Sequence, residues 1–377
     1  MALITYLTRI QFDFGALGLL GAELELLGLR RPLVVTDRGL VATGLTERLT
    51  AALPAAVSAT LFDATPQNPT EAAAVAAVDA YRAGGCDGVI GFGGGSSMDL
   101  AKAVGLLATH DGPLAAYTLV EGGVARITAA VAPVIAIPTT AGTGSEVGRG
   151  SIMVLDDGRK LGLVSPHLIP KLALCDPDLT LGLPPALTAA TGLDALAHCV
   201  ETYLTAVVNP PAEAIALDGA GRVAGFIERA VADGQDREAR WQMMMAAMEG
   251  AMAFQKGLGA VHALSHPLGA IPEPVLHHGT LNAVLMPAVL RFNADHVGEK
   301  YQRLATVLGA DDGATLADWM AAFNRRLAIP SGLAAMGVTR TMLPAIAEAA
   351  TRDHCHATNP RPATVADYQA LLEESMG

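Results

Sequence analysis

The apolar run Gly88-Val89-Ile90-Gly91-Phe92 passes directly into Gly93-Gly94-Gly95-Ser96-Ser97, and a helical segment begins near Met98. A strand handed to a helix through consecutive glycines is one half of a strand–helix–strand unit, and such units build parallel sheets. The pattern recurs along the first half of the chain. Leu33-Val34-Val35-Thr36 reads as a strand, followed by Asp37, Gly39 and a helix from about Gly44 to Leu53. Residues 59–62 form a further apolar stretch, and Thr70 is placed to cap a helix from Glu71 to Ala83. Val134-Ile135-Ala136-Ile137 is another strand, entering Pro138-Thr139-Thr140-Ala141-Gly142-Thr143-Gly144-Ser145-Glu146. Asp156-Asp157-Gly158 marks a hairpin between Ser151–Leu155 and Lys160–Val164. The expectation is a Rossmann-like parallel sheet with helices on both faces.

Strand signals fade after Leu183-Pro184-Pro185. Helical periodicity follows over Pro185–Leu204, Pro211–Ala232, Arg237–Lys256 and Leu281–Phe292. The chain is therefore read as an α/β domain over residues 1–183 and an all-α domain over residues 184–377. Its 377 residues suit two cores, and 51% of them are hydrophobic. A formal net charge of −12 argues against nucleic-acid binding, which needs a basic surface. The cysteines Cys86, Cys175, Cys199 and Cys355 are widely spaced and form no C-x-x-C pair, as in a reducing cytosol. Residues 1–9 carry no apolar signal core, and no apolar run reaches membrane-spanning length, so a cytoplasmic protein is expected.

In parallel sheets ligands gather at the carboxyl ends of the strands, where glycine lets the backbone approach a phosphate. Two Gly-rich loops after two strands favour a dinucleotide, although neither is G-x-G-x-x-G nor a phosphate loop with Gly-Lys-Ser. Asp37, just past a strand, has the place of an acid that accepts from a ribose and repels a 2′-phosphate; it equally suits a simple turn. In the second half, Asp194 and His198 stand four apart on an apolar helix, and His262 and His266 repeat that spacing. His277-His278-Gly279 follows. A carboxylate with several imidazoles in apolar surroundings points to a divalent metal, Fe²⁺, Zn²⁺ or Mn²⁺, over a set of hydrogen-bonded core histidines.

The ordered motifs GFGGGSSMDLAK, PTTAGTGSEV, LDALAHCVE, VHALSHPLG and HHGTLNAVLMP resemble the iron-containing (group III) alcohol dehydrogenases, from the N-terminal strands to Asn359-Pro360-Arg361. Within that family the chain is most similar to the 4-hydroxybutyrate dehydrogenases, on Thr5-Tyr6-Leu7-Thr8, Phe254-Gln255-Lys256-Gly257-Leu258-Gly259, the doubled His277-His278 and Asp353-His354-Cys355-His356. The resemblance implies a metal held by Asp194, His198, His262 and His278, with Fe²⁺ or Zn²⁺ as the ion and His277 an alternative last ligand. It implies NAD held by Asp37, Asn68, Gly94, Gly95, Ser96, Asp99, Thr139, Thr140, Thr143 and Lys160. His266 matches a nearby non-ligand histidine, placed to contact the nicotinamide or to relay a proton. Arg149, His354, His356 and Arg361 are the candidates for holding a substrate carboxylate, and His354 and His356 depart from the small residues usual there. The implied reaction interconverts 4-hydroxybutyrate and succinate semialdehyde in a dimer or larger homo-oligomer. Another small alcohol, diol or lactaldehyde is the alternative substrate, and a non-redox enzyme like dehydroquinate synthase is the alternative class.

Overall fold

The structure, a computed structural model, describes residues 8–310 and 315–377. Thr5, Tyr6 and Leu7 of the opening motif lie outside the described residues. Two compact units emerge, one of residues 8–140 with Gly144–Leu181, the other of Ala141–Thr143 with Gly182–Gly377.

The first unit contains strands β1 (Arg9–Phe12), β2 (Pro32–Val35), β3 (Thr60–Phe62), β4 (Gly88–Gly93), β5 (Val134–Pro138), β6 (Gly150–Val154), β7 (Lys160–Val164) and β8 (Leu172–Cys175). Helices α1 (Leu20–Leu27), α2 (Arg38–Ala42), α3 (Leu45–Ala51), α4 (Glu71–Ala83) and α5 (Gly95–Leu107) alternate with them. The sheet runs β1-β8-β5-β4-β2-β3 with every neighbouring pair parallel. β6 and β7 form the antiparallel hairpin, turning at Gly158 with φ of 84°. Alternate residues of each strand serve opposite faces. Leu33, Val35, Val89 and Val134 pack with α4 and α5, while Val34, Ile90, Phe92, Ile135 and Ile137 pack with Leu20, Leu24 and Leu49. This is the expected doubly covered parallel sheet. Sequence reading missed β1 and β8. β8 is a four-residue stretch, Leu-Ala-Leu-Cys, without β-branched residues, and β1 is an edge strand that alternates with Arg9 and Gln11.

The second unit is helical: α6 (Pro185–Leu204), α7 (Pro210–Ala232), α8 (Arg237–Ala253), α9 (Ala260–Gly269), α10 (His278–Asn293), α11 (Glu299–Leu308), α12 (Leu316–Arg326), α13 (Leu343–Ala350) and α14 (Val365–Glu374). α6 is buried from Thr188 to Leu204, surrounded by α7, α8 and α10. Two boundaries shift by three residues from expectation. α8 stops at Ala253 and a 3-10 turn, Phe254–Lys256, replaces its last residues because Lys256 turns inward. The Lys256 ammonium donates to the Thr202 and Thr205 carbonyls at 2.8 and 2.9 Å, capping the end of α6. α10 starts at His278, three residues before Leu281, because His277 caps it by accepting from the Thr280 N–H. No described helix is long and apolar enough to cross a membrane.

Buried charge pins the loop after β5 to α5. The Lys102 ammonium, fully buried, donates to Ser145 Oγ at 2.7 Å, to the Gly148 carbonyl at 3.0 Å and to the Gly150 carbonyl at 2.7 Å. Burial pushes Lys102 down to about 8 and the neighbouring Glu146 up to about 7. Because the native state holds the Glu146 proton more tightly than the unfolded chain, this group's contribution is fully present below about pH 4.5 and is lost as pH rises through about 7. Glu146→Gln should therefore match the wild type near pH 4.5 and exceed its melting temperature by several degrees at pH 7.5, where Lys102 is still mostly protonated. The gain is on the order of 3 kcal/mol at most, reduced by the attraction lost to Lys102. Thermal melts across that range decide it, and a difference independent of pH would contradict the assignment.

Candidate functional site

Along buried α6 the polar residues Thr191, Asp194, His198 and Glu201 follow one another at helical spacing and form a stripe. Asp194 Oδ1 lies 4.0 Å from His198 Nε2, 4.0 Å from His262 Nε2 and 3.7 Å from His278 Nε2. Three helices make this convergence. His262 comes from the first turn of α9, and its ring stacks on that of His198 with centroids 4.7 Å apart. His278 is the first residue of α10, brought close by Gly279, where a β-carbon would run into the Ala190 carbonyl of α6. His277 faces the Thr280 N–H and hydroxyl instead, so the helix cap separates the doubled histidines into two roles. Burial pushes His198 down to about 4, so it stays neutral. At His262 burial acts in the same direction, but the Glu201 carboxylate outweighs it and the net shift is upward.

Two supporting carboxylates were missed as site residues. Glu201 Oε2 takes His262 Nδ1 at 2.6 Å, while Oε1 accepts from the Val261 N–H at 2.7 Å. One carboxylate thus orients the imidazole and caps α9. Its signal was present in sequence as the continuation of the Asp194–His198 stripe. Asp353 Oδ2 pairs with His266 Nδ1 at 2.9 Å, and Oδ1 accepts from the Cys355 N–H at 2.8 Å. Burial opposes ionisation of Asp353, yet the His266 and His354 imidazoles hold its carboxyl well below the usual range. The His354 ring stacks on His266 with centroids 5.5 Å apart, and His266 stacks in turn on His278 at 5.6 Å. His354 therefore joins the cluster. His356 Nδ1 instead pairs with the buried Tyr368 hydroxyl at 2.9 Å.

In the α/β unit the carboxyl ends of β2, β4 and β5 bring their loops together. Gly93 has φ of 148°, and a β-carbon there would sit 2.7 Å from Ser97 Oγ and 3.8 Å from Asp37 Oδ2. Gly94 lies against Thr140, where a β-carbon would be 3.4 Å from Thr140 Oγ1, and Gly95 opens α5. The Thr139 N–H donates to the Gly93 carbonyl at 3.0 Å. α4 is capped by Thr70 as expected, whereas no side chain caps α5, which leaves its opening turn available to an anion. Asp37 caps α2 by accepting from the Leu40 N–H at 2.9 Å. Lys160 donates to Asn68 Oδ1 at 2.8 Å, and the Ser96 hydroxyl donates to the Gln67 carbonyl. Asp99 is turned inward: its carboxylate accepts from Ser145 Oγ at 2.5 Å and the Ile152 N–H at 3.0 Å. It clamps the loop after β5, tying it to the first turns of α5. Thr143 belongs with the helical unit, apart from Thr139 and Thr140. Arg149, half-buried in the α/β unit, is shifted downward by burial.

Comparison with known proteins agrees with this architecture. The family model described as iron-containing alcohol dehydrogenase matches residues 8–177, and its C-terminal counterpart matches residues 188–376. The chain is 57% identical to the 4-hydroxybutyrate dehydrogenase of Cupriavidus necator, with all of both chains covered. It is similar to the crystal structure of 1,3-propanediol oxidoreductase, with a TM-score of 0.92 and 32% identity over 100% of both chains. It is also similar to sulfoacetaldehyde reductase from Bifidobacterium kashiwanohense in complex with NAD⁺, with a TM-score of 0.88 and 29% identity over 100% of this chain and 99% of that one. With both halves matched and its full length shared with such a relative, the chain belongs to the iron-containing alcohol dehydrogenase family of oxidoreductases.

Proposed function

We propose that this enzyme interconverts 4-hydroxybutyrate and succinate semialdehyde with NAD, using a divalent metal held by Asp194, His198, His262 and His278. The observation that carries the reading is the convergence of three imidazole Nε2 atoms on one buried carboxylate oxygen. Such a set of acceptors is costly to bury unless a cation joins them, and an O/N set without thiolate suits Fe²⁺. The substrate follows from the 57% identity to a 4-hydroxybutyrate dehydrogenase. A divalent cation there supplies Lewis acidity, which lowers an alcohol's pKa and polarises a carbonyl. NAD supplies the hydride acceptor.

The chain's own residues do the rest. Glu201 fixes the tautomer of His262 so that Nε2 faces the cluster. Asp353 does the same for His266: an Nδ1–H donated to the carboxylate leaves His266 Nε2 to take up or release the alcohol proton. Gly94, Gly95 and Ser96 offer the opening of α5 to the pyrophosphate, with Thr139 and Thr140 alongside. Asp37 stands beside Gly93, where an acid favours NAD over its 2′-phosphate. Lys160 with Asn68, and Thr143, are the remaining proposed contacts, while Asp99 acts through the loop it clamps. Residues 1–183 are assigned the nucleotide and residues 184–377 the metal and the chemistry. A homodimer or larger assembly in the cytoplasm is part of the same proposal.

For the substrate carboxylate the geometry favours His354, which joins the metal cluster through His266, over His356, which Tyr368 holds. Arg149 is a further candidate. A second reading, a diol or other small alcohol, is favoured by the similarity to 1,3-propanediol oxidoreductase. Assays of 4-hydroxybutyrate, 1,3-propanediol and simple primary alcohols with NAD and Fe²⁺ separate the two. A non-redox activity is set aside with the family assignment.

Asp194→Ala should abolish metal retention and NAD reduction together while NADH still binds, as read by metal analysis and NADH fluorescence; full metal content in this variant would refute the ligand assignment. His354→Ala should raise KM for 4-hydroxybutyrate about 10- to 100-fold, the worth of a hydrogen bond to a charged group. Its KM for a neutral alcohol should barely move. Equal changes for both substrates would remove His354 from carboxylate binding.

A further inference from the structure

Asn282 lies one turn beyond His278 on α10 and is fully buried. Its Nδ2 stands 2.7 Å from Asp194 Oδ1, 3.3 Å from His262 Nε2 and 3.2 Å from His278 Nε2. One amide nitrogen therefore caps a triangular face of the cluster. The other end of the same amide, Oδ1, is buried without a hydrogen-bond partner. A buried carbonyl left unpaired is costly, and here it is attached to a group whose other end meets three acceptors.

The two ends of an amide suit opposite states of such a site. With no cation present, the lone pairs of Asp194, His262 and His278 face one another, and N–H donors directed among them relieve the repulsion. With a cation present, those lone pairs are engaged, and an N–H pointing at the ion is repelled. Half a turn about the Cβ–Cγ side of the amide exchanges the two ends and brings the unpaired oxygen to the same face. We propose that Asn282 is an additional ligand, presenting N–H to the empty site and its carbonyl oxygen to a bound divalent cation. The inference rests on the metal reading of Asp194, His198, His262 and His278. Its consequence is selectivity. Zinc in proteins favours four ligands in a tetrahedron, whereas a further neutral oxygen suits ions that accept higher coordination. Asn282 thereby favours Fe²⁺ or Mn²⁺ over Zn²⁺.

The test is metal affinity of the full chain, measured by chelator competition under anaerobic conditions with Fe²⁺, Mn²⁺ and Zn²⁺ separately. Asn282→Ala should weaken Fe²⁺ and Mn²⁺ binding about 10- to 100-fold, with Zn²⁺ changed much less. Asn282→Asp, which keeps the shape and offers only oxygen, should bind Fe²⁺ at least as tightly as the wild type. If Asn282 served only to donate to Asp194, the aspartate variant would set two carboxylates together and lose metal; that result overturns the proposal. So does an Asn282→Ala variant with unchanged affinities, or with equal losses for all three ions. Melting curves of the metal-free variants show that each is folded, and the isosteric aspartate carries the test if alanine is not. A wild type that binds none of the three ions refutes the underlying metal reading instead, so the two failures are distinguishable.

Discussion

The pairing of Glu201 with His262 is the interaction on which the helical unit turns. Its carboxylate is buried near the end of α6, yet it serves α9 twice, at the Val261 N–H and at the His262 ring. Neither helix supplies that stability alone. Without α9 the Glu201 charge would be buried unpaired, and without Glu201 the first turn of α9 would lose an acceptor and His262 its orientation. A connection that fixes helix position and ring orientation together converts fold stability into site geometry. The same end of α6 is capped by Lys256 from the turn before α9, so both ends of the connection between α8 and α9 are tied to one helix.

Much of this was legible in the sequence, and the reason is periodicity. α4 and α6 begin and end where capping residues, prolines and apolar spacing place them. Asp194, His198 and His262 stood out because charged and titratable residues in an apolar stripe are conspicuous. The same stripe contains Glu201, three residues after His198, and it passed unnoticed because a glutamate at a helix end usually reads as solvated. Asn282 and Asp353 were hidden for a different reason. Their roles come from partners 88 and 87 residues away in sequence, Asp194 and His266, and local pattern carries nothing about such pairings. β8 was missed because full burial on both faces removes the alternation that marks a strand.

In the α/β unit one residue meets the turn reading with half of its carboxylate. Asp37 was equally plausible as a turn residue and as a ribose contact. It caps α2 through one oxygen, and its other oxygen lies beside Gly93 at the carboxyl end of β4. A carboxylate with two oxygens can orient itself by one and present the other. Asp99 differs because both of its oxygens are engaged inside the protein. A residue just inside the helix that follows a Gly-rich turn thus holds the neighbouring loop.

The stretch Asp353-His354-Cys355-His356 makes the complementary point about charge. Four polar or titratable residues in sequence suggest one shared task, but the backbone alternates their surroundings. Asp353 and Cys355 are buried while His354 and His356 are only partly so, and the two histidines are then committed to different neighbours. His354 stacks on a ring whose other side stacks on His278, so any charge it carries is felt by the cluster around Asp194. Burial disfavours that charge and Asp353 favours it, and burial prevails in the isolated chain. For an imidazole in such a place, a second carboxylate on its open side would shift the balance towards the protonated form.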